Sequence, residues 1–222
     1  VLIDDRWATA REDVARLGSG ETDLDASRRL LAPERFVGLG QAVADHATWW
    51  AKQVKASDLA DGAERAAVLT AIAQAAPRTP QAGDATVRWS EDVAVVTGVA
   101  PGSIAAAVVG ELLAGGATVV ATSSRLTHER LEFATTLYRE HAAAGAKLWM
   151  VPANLSSYRD VDALAEWIGN DQVVTSGGST KVVKEALVPT LLFPFAAPRV
   201  SGTLADAGPA AESQTRLLLW SV

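Results

Sequence analysis

Gly98, Gly102 and Ser103 fall within 97-TGVAPGSIA-105, between an apolar run, 93-VAVVT-97, and an alanine-rich stretch with helical character. A strand that turns on glycine into a helix is a place to hold an anion. The first glycine makes the bend, a later one lets backbone amides approach a pyrophosphate, and the helix presents its positive end. Ser103 suits the N-cap, and Ala105 supplies the small residue that lets helix pack close to strand. The spacing is T-G-x-x-x-G-S-I-A, with one residue more than the T-G-x-x-x-G-I-G of ordinary short-chain dehydrogenases. A turn that merely needs flexible residues would look the same, so context decides. A second apolar run, 117-ATVVATS-123, ends on 122-TSSR-125. An unphosphorylated adenosine ribose is read by an acid about 20 residues past the glycines, whereas a 2′-phosphate needs an arginine. No acid precedes Glu129, and two hydroxyls with Arg125 suit a phosphate dianion, so the residues favour NADPH. The alternative is that Arg125 is a solvated residue opening the next helix.

These groups need a sheet to position them. Short apolar strands at 93–97, 117–123, 147–153 and 190–196 alternate with helical stretches at 103–114, 127–144 and 158–168. That alternation predicts βαβ units and a doubly wound, Rossmann-like parallel sheet with helices on both faces, an α/β fold. Residues 1–76 carry helix signals and almost no strand signal. In 4-DDRWATAREDVARL-17, Trp7, Ala10, Val14 and Leu17 recur at spacings of three and four and share one helical face. Further helical stretches at 37–54 and 63–76 follow an interruption at Pro33, and 77-PRTPQAGD-84 reads as a linker. The expected division is a helical structural lead-in over 1–84 and a cofactor-binding domain over 85–222.

Composition narrows the function classes. A chain of 222 residues, 49% hydrophobic, can bury a sizeable core. Its net charge of −6 argues against nucleic acid or an anionic membrane as partner. The chain has no cysteine, which removes disulfides and thiolate metal sites and fits a reducing, cytoplasmic setting. No apolar run approaches the roughly 20 residues that cross a bilayer. The string 177-GGSTK-181 has the wrong order for a phosphate loop, and His46, His128 and His141 have no metal-ligand spacing. The acid pairs Asp4-Asp5 and Glu12-Asp13 read as surface charge, and Trp49-Trp50 as packing residues.

The string 95-VVTGVAPGSIAAAVV-109, followed by 115-GGATVVATSSR-125, 145-GAKLWMVPANLSSYRDVDALAEWIG-169 and 191-LLFPFAAPRV-200, resembles the ketoacyl reductase region of the type I fatty acid synthases, mycobacterial and fungal. The match runs in order over about residues 90–222. The stretch 1–76 is similar to the helical segment that precedes this reductase. The resemblance implies that Gly98, Gly102, Ser103 and Ile104 contact the pyrophosphate, and that Ser124 and Arg125 bind the adenosine phosphate of NADPH. It implies that Asn154 lies by the adenine, and that Phe195, Ala196 and Ala197 lie beside the nicotinamide ribose.

One departure is large. Reductases of this kind protonate the ketone oxygen from the Tyr of a Tyr-x-x-x-Lys pair, and neither 138-YREHA-142 nor 158-YRDVD-162 supplies it. A catalytic Ser, Tyr and Lys are therefore expected beyond Val222. The chain opens at Val1, and 210-AAESQTRLLLWSV-222 is broken off within an amphipathic pattern, so it reads as a fragment with a sheet incomplete at its C-terminal side. In the complete synthase the resemblance implies reduction of a 3-ketoacyl thioester carried by the acyl carrier domain. Other synthase domains and further copies of the parent protein would be its neighbours. The alternative, from another class, is a non-catalytic Rossmann-like module that packs within a multidomain assembly.

Overall fold

A computed structural model of the chain describes residues 1–3, 6–81, 83–176 and 179–196. In chain order its elements begin with β1 (Leu2–Ile3), α1 (Arg6–Ser19), α2 (Leu24–Ser27), a 3-10 turn (Pro33–Phe36), α3 (Gln41–Lys55) and α4 (Gly62–Ala75). Then follow β2 (Val93–Val96), α5 (Ile104–Ala114), β3 (Thr118–Ser123), α6 (His128–His141), β4 (Lys147–Pro152) and α7 (Tyr158–Gly169). The last are β5 (Gln172–Ser176), β6 (Ser179–Lys184) and β7 (Leu191–Phe193).

The main sheet has the order β1-β4-β3-β2-β7, with β4, β3, β2 and β7 parallel and β1 antiparallel at one edge. Side chains alternate across it as the pleat requires. Ala94, Val96, Val119, Ala121, Leu148 and Met150 pack under α5 and α6, while Val95, Val120 and Val151 pack with Leu164 and Ile168 of α7. Helices thus cover both faces of a mostly parallel sheet, which is the Rossmann-like α/β architecture that the alternating pattern predicts. The four parallel strands overlap their predicted positions, with β7 ending at Phe193, three residues before the expected end.

Local chemistry sets the boundaries. Ser103, Thr127 and Ser157 cap α5, α6 and α7, their side-chain oxygens accepting the amides of Ala106, Arg130 and Asp160. Helix α5 ends in a Schellman motif, with Gly116 at φ +87°, its N–H on Leu113 O at 3.1 Å and that of Ala117 on Leu112 O at 3.0 Å. Its neighbour Gly115 admits Trp89 so closely that a Cβ would stand 2.2 Å from the ring.

The lead-in helices α1, α3 and α4 bury Val14, Leu17, Val43, Val54, Leu69 and Ile72 among themselves. They are tied to the sheet unit at two places. Strand β1 joins β4, with the Val1 ammonium donating to Met150 O at 2.9 Å. At the other junction Arg6 Nε donates to Ala142 O at 3.0 Å, Arg35 Nη2 donates to Arg139 O, and Arg139 Nε donates to Asp13 Oδ1 at 3.0 Å.

Three features depart from the sequence expectations. Trp7 does not share the buried face of α1; it is 45% exposed, with the Arg11 guanidinium 4.7 Å from its ring, because α1 needs only Ala10, Val14 and Leu17 to seal its core. Asp13 is not surface charge: it is buried against Arg139. Strand β1 and the hairpin of β5 and β6 were not expected. Two residues carry no periodicity, and the hairpin's mixed valine, threonine and lysine pattern falls outside the βαβ rhythm. Residues 179-STK-181 lie on β6 and not at a helix start, while Gly177 and Gly178, like Asp4 and Asp5, lie outside the described residues.

Candidate functional site

The strand order reverses beside β2. The chain passes from β2 to β3 to β4 on one side, then returns to place β7 on the other. Ligands of open α/β sheets bind at the carboxyl ends of the strands at such a switch point. A cleft of about 500 Å3 opens there, lined by Gly98 to Ala100 and Ser103 after β2, by Thr122 to Ser124 at the end of β3, and by Ala153 to Ser156 after β4. Phe195 and Ala196 after β7, and Arg130 from the first turn of α6, complete the lining.

The turn after β2 is built around its glycines. Gly98 has φ +71°, and a Cβ on it would stand 2.8 Å from the Ala196 Cα, so both backbone angle and space demand glycine. Gly102 also lies in the left-handed region, at φ +69°, yet a Cβ there would meet nothing within 4 Å. Its surroundings are therefore open to a ligand. Ser103 Oγ accepts the amides of Ala100 at 3.2 Å and Ala106 at 3.1 Å and donates to Ala100 O at 2.7 Å, which locks the turn against the start of α5.

The return loop is held by buried Thr97. Its N–H donates to Phe193 O at 3.0 Å, and its Oγ1 accepts the Ala196 amide at 3.0 Å. The Phe195 ring stacks on Phe193, at 6.1 Å and 13°. After β4, Asn154 Oδ1 accepts the Ser156 amide at 3.1 Å, while the Asn154 amide donates to Asp160 Oδ2 at 3.0 Å.

Of the residues named from the sequence, Gly98, Ser103, Ser124, Asn154, Phe195 and Ala196 line this one cleft, and Gly102 stands at its turn. Ile104 sits at the same helix start, but its side chain is 73% exposed and lines a separate apolar groove with Trp89 and Phe193. Arg125 is exposed and follows the cleft-lining Ser124 without lining the cleft itself. Ala197 and the amphipathic stretch 210–222 lie outside the described residues. Arg130 was missed. Its signal was present in the sequence as a cation in the first turn of a helix, where the macrodipole disfavours positive charge.

The lining contains no carboxylate among the described residues, two helices start at it, and Arg130, one of the lining residues, has a buried Nη1 without a hydrogen-bond partner. A left-handed glycine turn, open space over Gly102 and an unpaired guanidinium nitrogen are what a phosphorylated dinucleotide requires, so the residues fit that group. Neither tyrosine lines the cleft. Tyr138, on the buried face of α6, has its hydroxyl donating to Ala146 O at 2.9 Å, and Tyr158 opens α7. No group of three or more His, Cys, Asp or Glu residues able to hold a metal occurs among the described residues, and no helix there is long and apolar enough to cross a membrane.

Fold and cleft together define a Rossmann-like α/β unit with a cleft at the switch point. No family model matches the chain. Part of it is homologous to fungal fatty acid synthase alpha subunits. It is 42% identical over 84 residues to fatty acid synthase subunit alpha of Candida parapsilosis, a match covering 38% of this chain and 4% of that protein. Against the Schizosaccharomyces pombe subunit alpha it is 38% identical over 103 residues, covering 46% and 6%. Against that of Saccharomyces cerevisiae it is 39% identical over 82 residues, covering 37% and 4%. The chain thus matches only a small part of the length of these relatives.

Proposed function

We propose that the chain is the region of a type I fatty acid synthase that carries a helical structural lead-in, residues 1–84, and the cofactor-binding part of an NADPH-dependent ketoacyl reductase, residues 85–222. The observation that carries this reading is the carboxylate-free cleft at the switch point, built on the Gly98–Ser103 turn in a chain similar to synthase alpha subunits. NADPH, when bound, supplies the hydride that reduces a 3-ketoacyl thioester, presented by the acyl carrier domain, to the 3-hydroxyacyl product. The chain's own part is to bind and orient. The Gly102 backbone and the α5 N-terminus face the pyrophosphate, Ser124 and the basic side chains take the adenosine phosphate, Asn154 borders the adenine, and Phe195 and Ala196 bound the nicotinamide end. In a reductase of this kind the proton for the ketone oxygen comes from the tyrosine of a Tyr-x-x-x-Lys pair, which residues 1–222 do not contain.

Gly98→Val tests the reading in the full-length protein that carries this chain. The substitution combines a clash with the Ala196 backbone and a φ that valine resists. NADPH binding by equilibrium titration and reduction of an acetoacetyl thioester should both fall at least tenfold, with the fold retained by circular dichroism. Unchanged binding and turnover would refute the assignment, and failure of the unaltered protein to bind NADPH would favour the packing-module alternative.

A further inference from the structure

The predicted phosphate ligand Arg125 is exposed, whereas Arg130 lines the cleft with Ser103, Ser124 and Asn154. Three observations set Arg130 apart from a solvated helix residue. Its Nη1 is buried with no hydrogen-bond partner, a costly state for a charged donor. No ion pair among the described residues includes it. It also occupies the first turn of α6, its amide bonded to the Thr127 cap at 3.3 Å, where its charge adds to the positive end of the helix. An anion in the cleft would give this lining guanidinium a counter-charge and offset the unfavourable dipole.

We propose that Arg130 is a specificity-determining residue that grips the phosphate of the adenosine ribose from the cleft side and, more than Arg125, makes the site choose a phosphorylated over an unphosphorylated dinucleotide. The proposal rests on the dinucleotide reading of the cleft. Arg125, in solvent, contributes a screened attraction from the rim. Arg130, half-buried and part of the cleft lining, makes charge-assisted hydrogen bonds to the phosphate where water competes less.

Equilibrium titration of the full-length protein with NADPH, NADH, 2′,5′-ADP and 5′-AMP separates the outcomes without turnover. Arg130→Gln should weaken NADPH and 2′,5′-ADP about tenfold or more and leave NADH and 5′-AMP within about twofold. Arg130→Lys, which keeps the charge but loses the fork, should fall between. An Arg130→Gln protein with all four affinities unchanged, or with all four reduced equally, overturns the proposal. Should Arg130→Gln not fold, Arg130→Lys decides: a several-fold loss confined to the phosphorylated ligands supports it, and no selective loss overturns it. If the unaltered protein binds neither dinucleotide, the cleft reading itself fails; if it binds both and only Arg130 proves neutral, the failure is confined to this assignment.

Discussion

Asp13→Ala should uncouple the lead-in from α6. The Asp13 side chain is 4% exposed and accepts both Nε and Nη2 of Arg139, whose own side chain is 24% exposed. Arg6 and Arg35 converge on the same corner, donating to the Ala142 and Arg139 carbonyls at the end of α6. Burial, then the charge of Arg6, lowers the pKa of Arg35 to about 10, so it stays protonated at neutral pH. Burial also lowers that of Arg6, and Asp13 is the largest influence opposing the shift. Removing the carboxylate leaves three guanidinium groups with no buried counter-charge.

Breaking a fully buried pair costs about 3 to 5 kcal/mol. Two facts reduce that here. Arg139 is partly solvated and keeps Glu12 at 3.4 Å, and Asp13 Oδ2 has no partner, so the pair is only half satisfied. A loss of about 2 to 3 kcal/mol is expected, or roughly 2 to 4 °C in melting temperature for each kcal/mol in a chain of this size. Glu12→Ala is the control; at 58% exposure it should change stability by less than about 0.5 kcal/mol. The assay is urea unfolding followed by tryptophan fluorescence, with Arg139→Ala completing a double-mutant cycle. A coupling energy under about 0.5 kcal/mol, or equal losses for the Asp13 and Glu12 variants, would refute the clamp.

Two further outcomes follow from the same geometry. The His141 ring packs against Gly110 and stands 3.2 Å from Arg29 Nη2; burial first, then Arg29, holds its pKa below the ordinary value of 6.5. The neutral ring is favoured by folding, so its contribution is present in full above about pH 6.5 and is lost as pH falls through the lower folded value; His141→Gln should flatten that part of the urea-midpoint profile between pH 7.5 and 5. Arg125→Asp should weaken NADPH relative to NADH by up to about 1.5 to 3 kcal/mol at low salt, shrinking as ionic strength rises because the side chain is exposed, and titration at two salt concentrations checks it.

The Rossmann-like sheet was legible because each βα unit carries its own punctuation: valine runs that tolerate burial on both faces, then Ser103, Thr127 or Ser157 as a cap. The glycine turn was legible for the same reason, since Gly98 and Gly102 answer to backbone angles that only local sequence decides. The illegible parts depend on packing between distant segments. Strand β1 has two residues and exists because β4 offers an edge, and Asp13 is buried because Arg139, 126 residues away, comes to meet it. Arg130 and Arg139 look alike as exposed-face charges of an amphipathic helix, yet one opens on the cleft and the other ends in the lead-in clamp. They stand nine positions apart on α6, about 14 Å along the helix. No described residue of the lead-in lines the cleft, but by fixing the far end of α6 it restrains the helix that carries Arg130. Loosening the clamp should therefore reach the proposed NADPH cleft through α6, and Asp13→Ala should weaken NADPH more than a stability loss of equal size placed in the α3–α4 core.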